Sequence, residues 1–288
     1  MGQLATQLVS ASMMKPYPKI DFSAAEQFRE WELRKIGRAF AKEMENLGNT
    51  YALKGGTAMR FLLNVPRPSM DLDFEGKQRI WVRRHVKRAL RAAFPNTRYS
   101  VSYDFMGTGE IGITPPKDHK SSGLRLGVDY RDSAFEDVPT RIPLENCTQY
   151  DGIVIYKPEE LVHRKLQTMI GPNARCKPRD IYDAGWVATT HPELVRDDDA
   201  RELKNWITSR TSKQIQDLKT ALAEDQVTGQ VDTNELWECV AESISRLGAR
   251  DGPNDRPRSL PPTPPPAPSP ASDATRRTDR RGHDGPSR

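Results

Sequence analysis

Residues 50–74 constrain the fold more than any other stretch. Residues 50–54 are short and β-prone, and Gly55-Gly56 follows as a turn. Thr57 can cap a short helix carrying Ala58, Met59, Phe61, Leu62 and Leu63. Val65-Pro-Arg-Pro breaks that helix. Residues 70–74 then alternate apolar and acidic side chains, the pattern of a half-buried strand. A strand, a glycine turn, a helix and a second strand therefore follow one another with almost no chain to spare.

That second strand carries Asp71-Leu-Asp73-Phe. Residues two apart on a strand point to one face, so Asp71 and Asp73 lie side by side while Leu72 and Phe74 enter a core. Adjacent carboxylates repel unless a cation sits between them. An all-oxygen donor set suits Mg²⁺ or Mn²⁺. The Gly55-Gly56 turn, between a strand and a helix start, exposes backbone amides to an anion. Lys54, Arg60 or Arg67 could add positive charge for a phosphate. The GxxxxGK[ST] spacing of a P-loop is missing. A phosphate cradle beside a metal site is the combination a nucleotidyl transferase requires.

Elsewhere the periodicity assigns helices and strands. Residues 22–47 are helical, with Phe28, Trp31, Leu33, Ile36, Phe40 and Met44 at three- and four-residue steps. Residues 81–94 form a basic helix bearing Arg83, Arg84, Lys87, Arg88 and Arg91. Residues 98–105, 124–132 and 153–156 are strands, and the Gly/Pro/Lys-rich stretch 107–123 is a loop. Helices start at Pro158 and Pro178, more helix covers 193–223, and the last amphipathic helix spans 235–247. Strands come early and helices late, which predicts an α+β core followed by a helical part.

Two further groups of residues bear on chemistry. In Leu124-Arg-Leu-Gly-Val-Asp, the alternation puts Asp129 on the polar face of a strand, where it serves as a third metal carboxylate or as a surface acid. Lys165 flanks the helix face formed by Leu161, Val162, Leu166 and Met169, a position where a lysine commonly snorkels. Asp180 and Asp183 share a face of the next helix, and an Asp–Lys pair there could hold the lysine on a triphosphate.

Composition limits the alternatives. Ten of the 23 prolines fall in residues 249–288, together with eight arginines and only one large apolar residue, Leu260. Such a segment is expected to stay disordered, as a solvated tail or as a basic arm adding RNA affinity. The three cysteines are far apart and form no CxxC pair, which excludes a disulfide scaffold or cysteine-rich zinc module and fits a reducing cytoplasm. No apolar run approaches a membrane span, and no secretory signal is evident.

The ordered set Leu53-Lys-Gly-Gly-Thr-Ala, Arg67-Pro-Ser-Met-Asp-Leu-Asp-Phe, Glu160 through Lys165-Leu and Lys177-Pro-Arg-Asp-Ile-Tyr-Asp resembles the AbiEii/AbiGii nucleotidyltransferase-like toxins, including the mycobacterial MenT group. The resemblance covers about residues 25–190. It implies a DNA polymerase β-like nucleotidyltransferase fold with a helical C-terminal part. On this reading residues 1–20 are an N-terminal extension and 21–157 the nucleotidyltransferase core. Residues 158–248 complete the active site, and 249–288 are the tail. The resemblance also implies the toxin half of a bacterial toxin–antitoxin or phage-defence pair, located in the cytoplasm. Its substrates would be a nucleoside triphosphate with Mg²⁺ and RNA, with the tRNA 3′ acceptor end as target. Its antitoxin would be AbiEi-like or of a kinase type. By motif, Asp71 and Asp73 would hold metal; Gly55, Gly56 and Thr57 would line the phosphates. Lys165 and Asp183 would be the essential lysine and acid, with Asp180 nearby. Ser69 would be the hydroxyl that a kinase-type antitoxin phosphorylates. Two other functions use the same residues: a non-catalytic nucleotide- or RNA-binding module, and a phosphotransferase acting on the γ-phosphate.

Overall fold

The computed structural model describes residues 16–46, 51–76, 82–102, 111–120, 123–130, 144–172 and 174–248. The first helix, α1 (Ala24–Glu45), starts at Ser23, whose hydroxyl accepts from the Glu26 amide while the Glu26 carboxylate accepts from the Ser23 amide. Seven strands form one mixed sheet: β1 (Tyr51–Lys54), β2 (Asp71–Gly76), β3 (Ser100–Val101), β4 (Ile111–Thr114), β5 (Leu124–Tyr130), β6 (Cys147–Tyr150) and β7 (Ile153–Tyr156). Their order is β3-β4-β5-β2-β1-β7-β6. β2 runs antiparallel to β1 and parallel to β5, and β1 runs parallel to β7. Between β1 and β2 lies α2 (Gly55–Leu63), and α3 (Val82–Ala93) follows β2.

The two faces of β2 set the layout. Leu72 and Phe74 are buried against α1, where Phe40 meets Phe74 at a ring separation of 4.9 Å. Gly37 permits the close crossing, since a Cβ there would stand 2.9 Å from Ile153 Cδ1. Helix α3 packs against α1 on this same side of the sheet. Asp71, Asp73 and Glu75 therefore face the opposite side.

After β7 the described chain is helical: α4 (Pro158–Ile170), α5 (Pro178–Thr190), α6 (Asp197–Thr208), α7 (Ser212–Glu224) and α8 (Thr233–Arg246), with short 3-10 turns between. Prolines at the first position of α4 and α5 suit helix starts. Helix α5 packs on α4, α7 and α8, and α4 packs on α2, which ties the helices to the glycine turn. Residues 16–20, assigned above to an N-terminal extension, are part of this packing. Tyr17 is buried and its hydroxyl donates to the Tyr182 carbonyl at 2.7 Å, while the Tyr182 hydroxyl donates to the Pro18 carbonyl at 2.7 Å.

Three local expectations need correction, and one strand was not expected. The helix after β1 starts at Gly55, with Lys54 rather than Thr57 in the capping position. The stretch 107–123 contains a strand, β4, and is not all loop. Of the strand expected over 98–105, Ser100–Val101 forms, and residues 103–105 lie outside the described residues. Strand β6 has no counterpart in the sequence pattern; it joins β7 through Asp151-Gly152, both at positive φ, in a tight turn. The tail 249–288 lies outside the described residues.

Candidate active site

The glycine turn and the paired acids come together at one end of the sheet. Antiparallel pairing of β1 and β2 puts Lys54 opposite Asp73. Gly55 then turns into α2 at φ +74°, and a Cβ there would lie 2.8 Å from Asp73 Oδ2. Only glycine allows both that conformation and that approach. Gly56 is as crowded, with Arg67 Nη2 only 2.7 Å from where its Cβ would be.

Thr57 is buried inside this turn. Its hydroxyl hydrogen-bonds the Asp71 carbonyl oxygen and lies 2.8 Å from Ser69 Oγ. It therefore ties the first turn of α2 to the entry of β2, which is why a threonine that does not cap the helix still sits at this position. Ser69 is half-buried, and its Oγ is 3.4 Å from where a Cβ on Gly56 would stand.

Asp71 is half-buried and engages Arg125 of β5, its partner in the parallel register. Arg125 Nε and Nη2 donate to Asp71 Oδ1 and Oδ2, both at 3.0 Å. Asp129 stands opposite Glu75 in that register, but its side chain lies outside the described residues. Among the described residues no three His, Cys, Asp or Glu side chains converge as a ready metal cluster. Asp71 and Asp73 nevertheless supply hard oxygen donors on one strand face beside backbone amides. That donor chemistry fits Mg²⁺ or Mn²⁺.

Glu75, two residues beyond Asp73 on the same face, was not singled out by sequence reasoning. It is buried, and Arg164 Nη1 of α4 donates to its Oε2 at 2.8 Å, with Lys54 Nζ at 3.8 Å. The continued alternation Asp-Leu-Asp-Phe-Glu was the available signal. Glu75 links the strand before the glycine turn to the helix that carries Lys165.

Lys165 does not snorkel to solvent. Its Nζ lies 2.5 Å from Asp180 Oδ1 and 2.8 Å from Asp183 Oδ2. Asp180 also accepts the Lys177 amide at 2.9 Å, closing the start of α5. Asp183 is fully buried and takes Arg67 Nε and Nη2 on its two oxygens, both at 2.6 Å. Burial alone would raise the Asp183 pKa; the charges of Arg67 and Lys165 and their hydrogen bonds outweigh it and hold the carboxyl below its ordinary value. Arg67, considered above as charge for a phosphate, is thus buried and committed to Asp183. Arg67 leans on Gly56, so this buried network braces the glycine turn against α5. Arg60 reaches away from the turn and pairs with Glu30 at 3.0 Å.

A family model described as nucleotidyl transferase AbiEii toxin, type IV TA system, matches residues 39–246. The chain belongs to the AbiEii nucleotidyltransferase toxin family. Among solved structures it is similar to a candidate nucleotidyltransferase from H. pylori, at 24% identity and a TM-score of 0.62 over 79% of this chain and 96% of that one. It is likewise similar to JHP933 from Helicobacter pylori, at 24% identity and a TM-score of 0.61 over 80% and 94%. A looser likeness is to the MenT4 nucleotidyltransferase toxin of Mycobacterium tuberculosis, at 17% identity and a TM-score of 0.41 over 79% and 86%. Comparison with curated proteins returns no match. For an AbiEii-family chain, nucleotidyl transfer from a nucleoside triphosphate is the reaction class, and a cognate antitoxin is the expected partner. Among the described residues no helix is long and apolar enough to cross a membrane.

Proposed function

We propose that this AbiEii-family toxin is a Mg²⁺-dependent nucleotidyltransferase that adds NMP to RNA, with the tRNA 3′ acceptor end as target. The supporting observation is the Asp73 carboxylate against the Gly55 turn, with Asp71 beside it on β2. Asp71 and Asp73 would hold the metal, with Asp129 as third acid. When bound, the metal would neutralise triphosphate charge and favour attack at the α-phosphorus. The amides of Gly55 and Gly56 cradle phosphate oxygens at the start of α2. Lys54 adds charge beside them. Thr57 fixes the turn to the acid strand. Lys165, held by Asp180 and Asp183, presents its ammonium toward the triphosphate as charge moves to the leaving pyrophosphate. Asp183 and Arg67 are positioning residues, since both are buried.

The polymerase β-like core over 21–157, completed by helices over 158–248, is the division this mechanism uses. We assign the toxin to the cytoplasm, where triphosphate and tRNA meet, in a phage-defence type of pair. Helix α3 exposes Arg83, Arg84, Lys87, Arg88 and Arg91. Because α3 lies on the face away from the acids, we assign it a share of general RNA affinity and no part in the chemistry.

Ser69 offers a regulatory handle. A phosphate there would bring about two negative charges next to Thr57 and the Asp71 strand. A kinase-type antitoxin acting on Ser69 would thereby oppose triphosphate binding. A Ser69→Asp variant is expected to lose transfer; full activity would remove the regulatory role.

The function is tested by incubating the protein with Mg²⁺, total bacterial tRNA and each triphosphate, then weighing the RNA. A gain of one or more NMP units supports the reading. A gain of phosphate alone identifies a phosphotransferase and contradicts it.

A further inference from the structure

Two arginine–carboxylate pairs flank the candidate site with the same two-bond geometry and opposite burial. Arg67–Asp183 is sealed, with side chains 4% and 0% exposed. Arg125–Asp71 is open, with side chains 60% and 30% exposed. A buried pair cannot part without stranding a charge in a medium of low dielectric. An exposed pair parts at little cost, because water solvates both ends. The first pair is structure; the second is exchangeable.

What Arg125 occupies matters as much. Its guanidinium uses both oxygens of Asp71, a carboxylate assigned above to the metal. A divalent cation on Asp71 and the guanidinium therefore compete for the same oxygens, and their like charges oppose sharing. Once displaced, the guanidinium still presents a planar fork of donors suited to phosphate. The strand order puts the glycine turn on β1, the acids on β2 and Arg125 on β5, with neighbours about 4.8 Å apart. A triphosphate that starts at the turn and passes the acids heads toward Arg125.

We propose that Arg125 is a triphosphate-binding residue that Asp71 holds until a divalent cation takes over the carboxylate. The exchange couples the order of events: metal on Asp71 frees the arginine that then grips the nucleotide. It also keeps Asp71 charge-balanced without metal, so the acids need not repel one another. The inference rests on the metal-dependent reading of Asp71 given above.

The test measures two ligands on three proteins. Free Mn²⁺ is counted by electron paramagnetic resonance in a titration with Mn²⁺ alone. Binding of a non-hydrolysable nucleoside triphosphate with Mg²⁺ is measured by calorimetry. The proteins are wild type, Arg125→Ala and Arg125→Lys. Arg125→Ala is expected to bind Mn²⁺ about two- to fivefold tighter, as removal of an exposed ion-pair competitor allows. It is expected to bind the triphosphate roughly tenfold weaker, as loss of a charge-assisted forked contact implies. Arg125→Lys keeps the charge and loses the fork, so it should fall between the two for both ligands. If Arg125→Lys matches wild type for both, the residue acts only through its charge and the inference is overturned. It is also overturned if Arg125→Ala leaves Mn²⁺ affinity unchanged. An Asp71→Asn control separates the levels. Loss of Mn²⁺ binding in that control with no response from the Arg125 variants removes the exchange alone. Wild-type Mn²⁺ binding by Asp71→Asn removes the metal assignment and the exchange together.

Discussion

At the scale of single residues, the buried Arg67–Asp183–Lys165 network braces the glycine turn of the candidate site. Asp183 bonds two cations from inside the core, so Asp183→Asn leaves Arg67 buried without its hydrogen-bonded carboxylate. That change is expected to destabilise the protein by about 3–5 kcal/mol, the usual result of breaking a buried pair from one side. Chemical denaturation of the variant reads it directly. The pH response follows from the same pair. Asp183 is held below the ordinary aspartate range, so its contribution is complete above the unfolded-state pKa and lost as pH falls through the lower folded-state value. The slope of stability against pH below about 4 should therefore be shallower in Asp183→Asn. The sequence made Lys165, Asp180 and Asp183 visible through helical spacing. It did not make Arg67 visible as their partner, because that pairing joins a loop to a helix 116 positions away. Arg125 was hidden for a similar reason: its meeting with Asp71 depends on the parallel register of β5 on β2, which no local pattern states.

At the scale of elements, the unit from β1 to β2 is where sequence and structure agree best. Its alternation, its glycine pair and its proline break are all local signals, and they place the strand ends next to one another. Gly55 is the tightest point. A Gly55→Ala variant would force an alanine to φ +74° and set a methyl carbon against Asp73 Oδ2 at 2.8 Å. We expect a loss of about 1 kcal/mol or more in stability from the backbone conformation. Transfer should fall further than stability does, since the acid itself must move; equal, small losses in both would argue against the turn as phosphate cradle. The elements that were missed were weakly signalled. β4 is four residues within a Gly/Pro-rich stretch, and β6 is the edge strand Cys147-Thr-Gln-Tyr150, with little apolar content. Helix α3 carries a prediction of its own. Arg84→Glu with Lys87→Glu should weaken RNA binding and flatten its salt dependence by about one unit of slope for each phosphate no longer neutralised, with incorporation at saturating RNA unchanged. An unaltered salt slope would make the basic stripe a solvated surface.

At the scale of the whole molecule, the sheet separates two tasks. One face, under α1 and α3, is core and basic exterior. The other face carries Asp71, Asp73 and Glu75, and the helices after β7 reach back to it through Arg164, which bonds Glu75, and to the glycine turn through Asp183, which holds Arg67 against Gly56. The helical part therefore contacts the acid strand and the glycine turn directly. Asp71 is the assigned metal ligand whose removal disturbs the fold least. Its partner Arg125 is well exposed, so Asp71→Ala should leave the fold intact. The decisive measurement is incorporation of labelled triphosphate into total bacterial tRNA with Mg²⁺, by wild type and by Asp71→Ala of matched thermal stability. Label is expected on tRNA with the wild type and none with the variant. Equal labelling by both proteins, or equal cellular toxicity with no labelling by either, would contradict the proposed function.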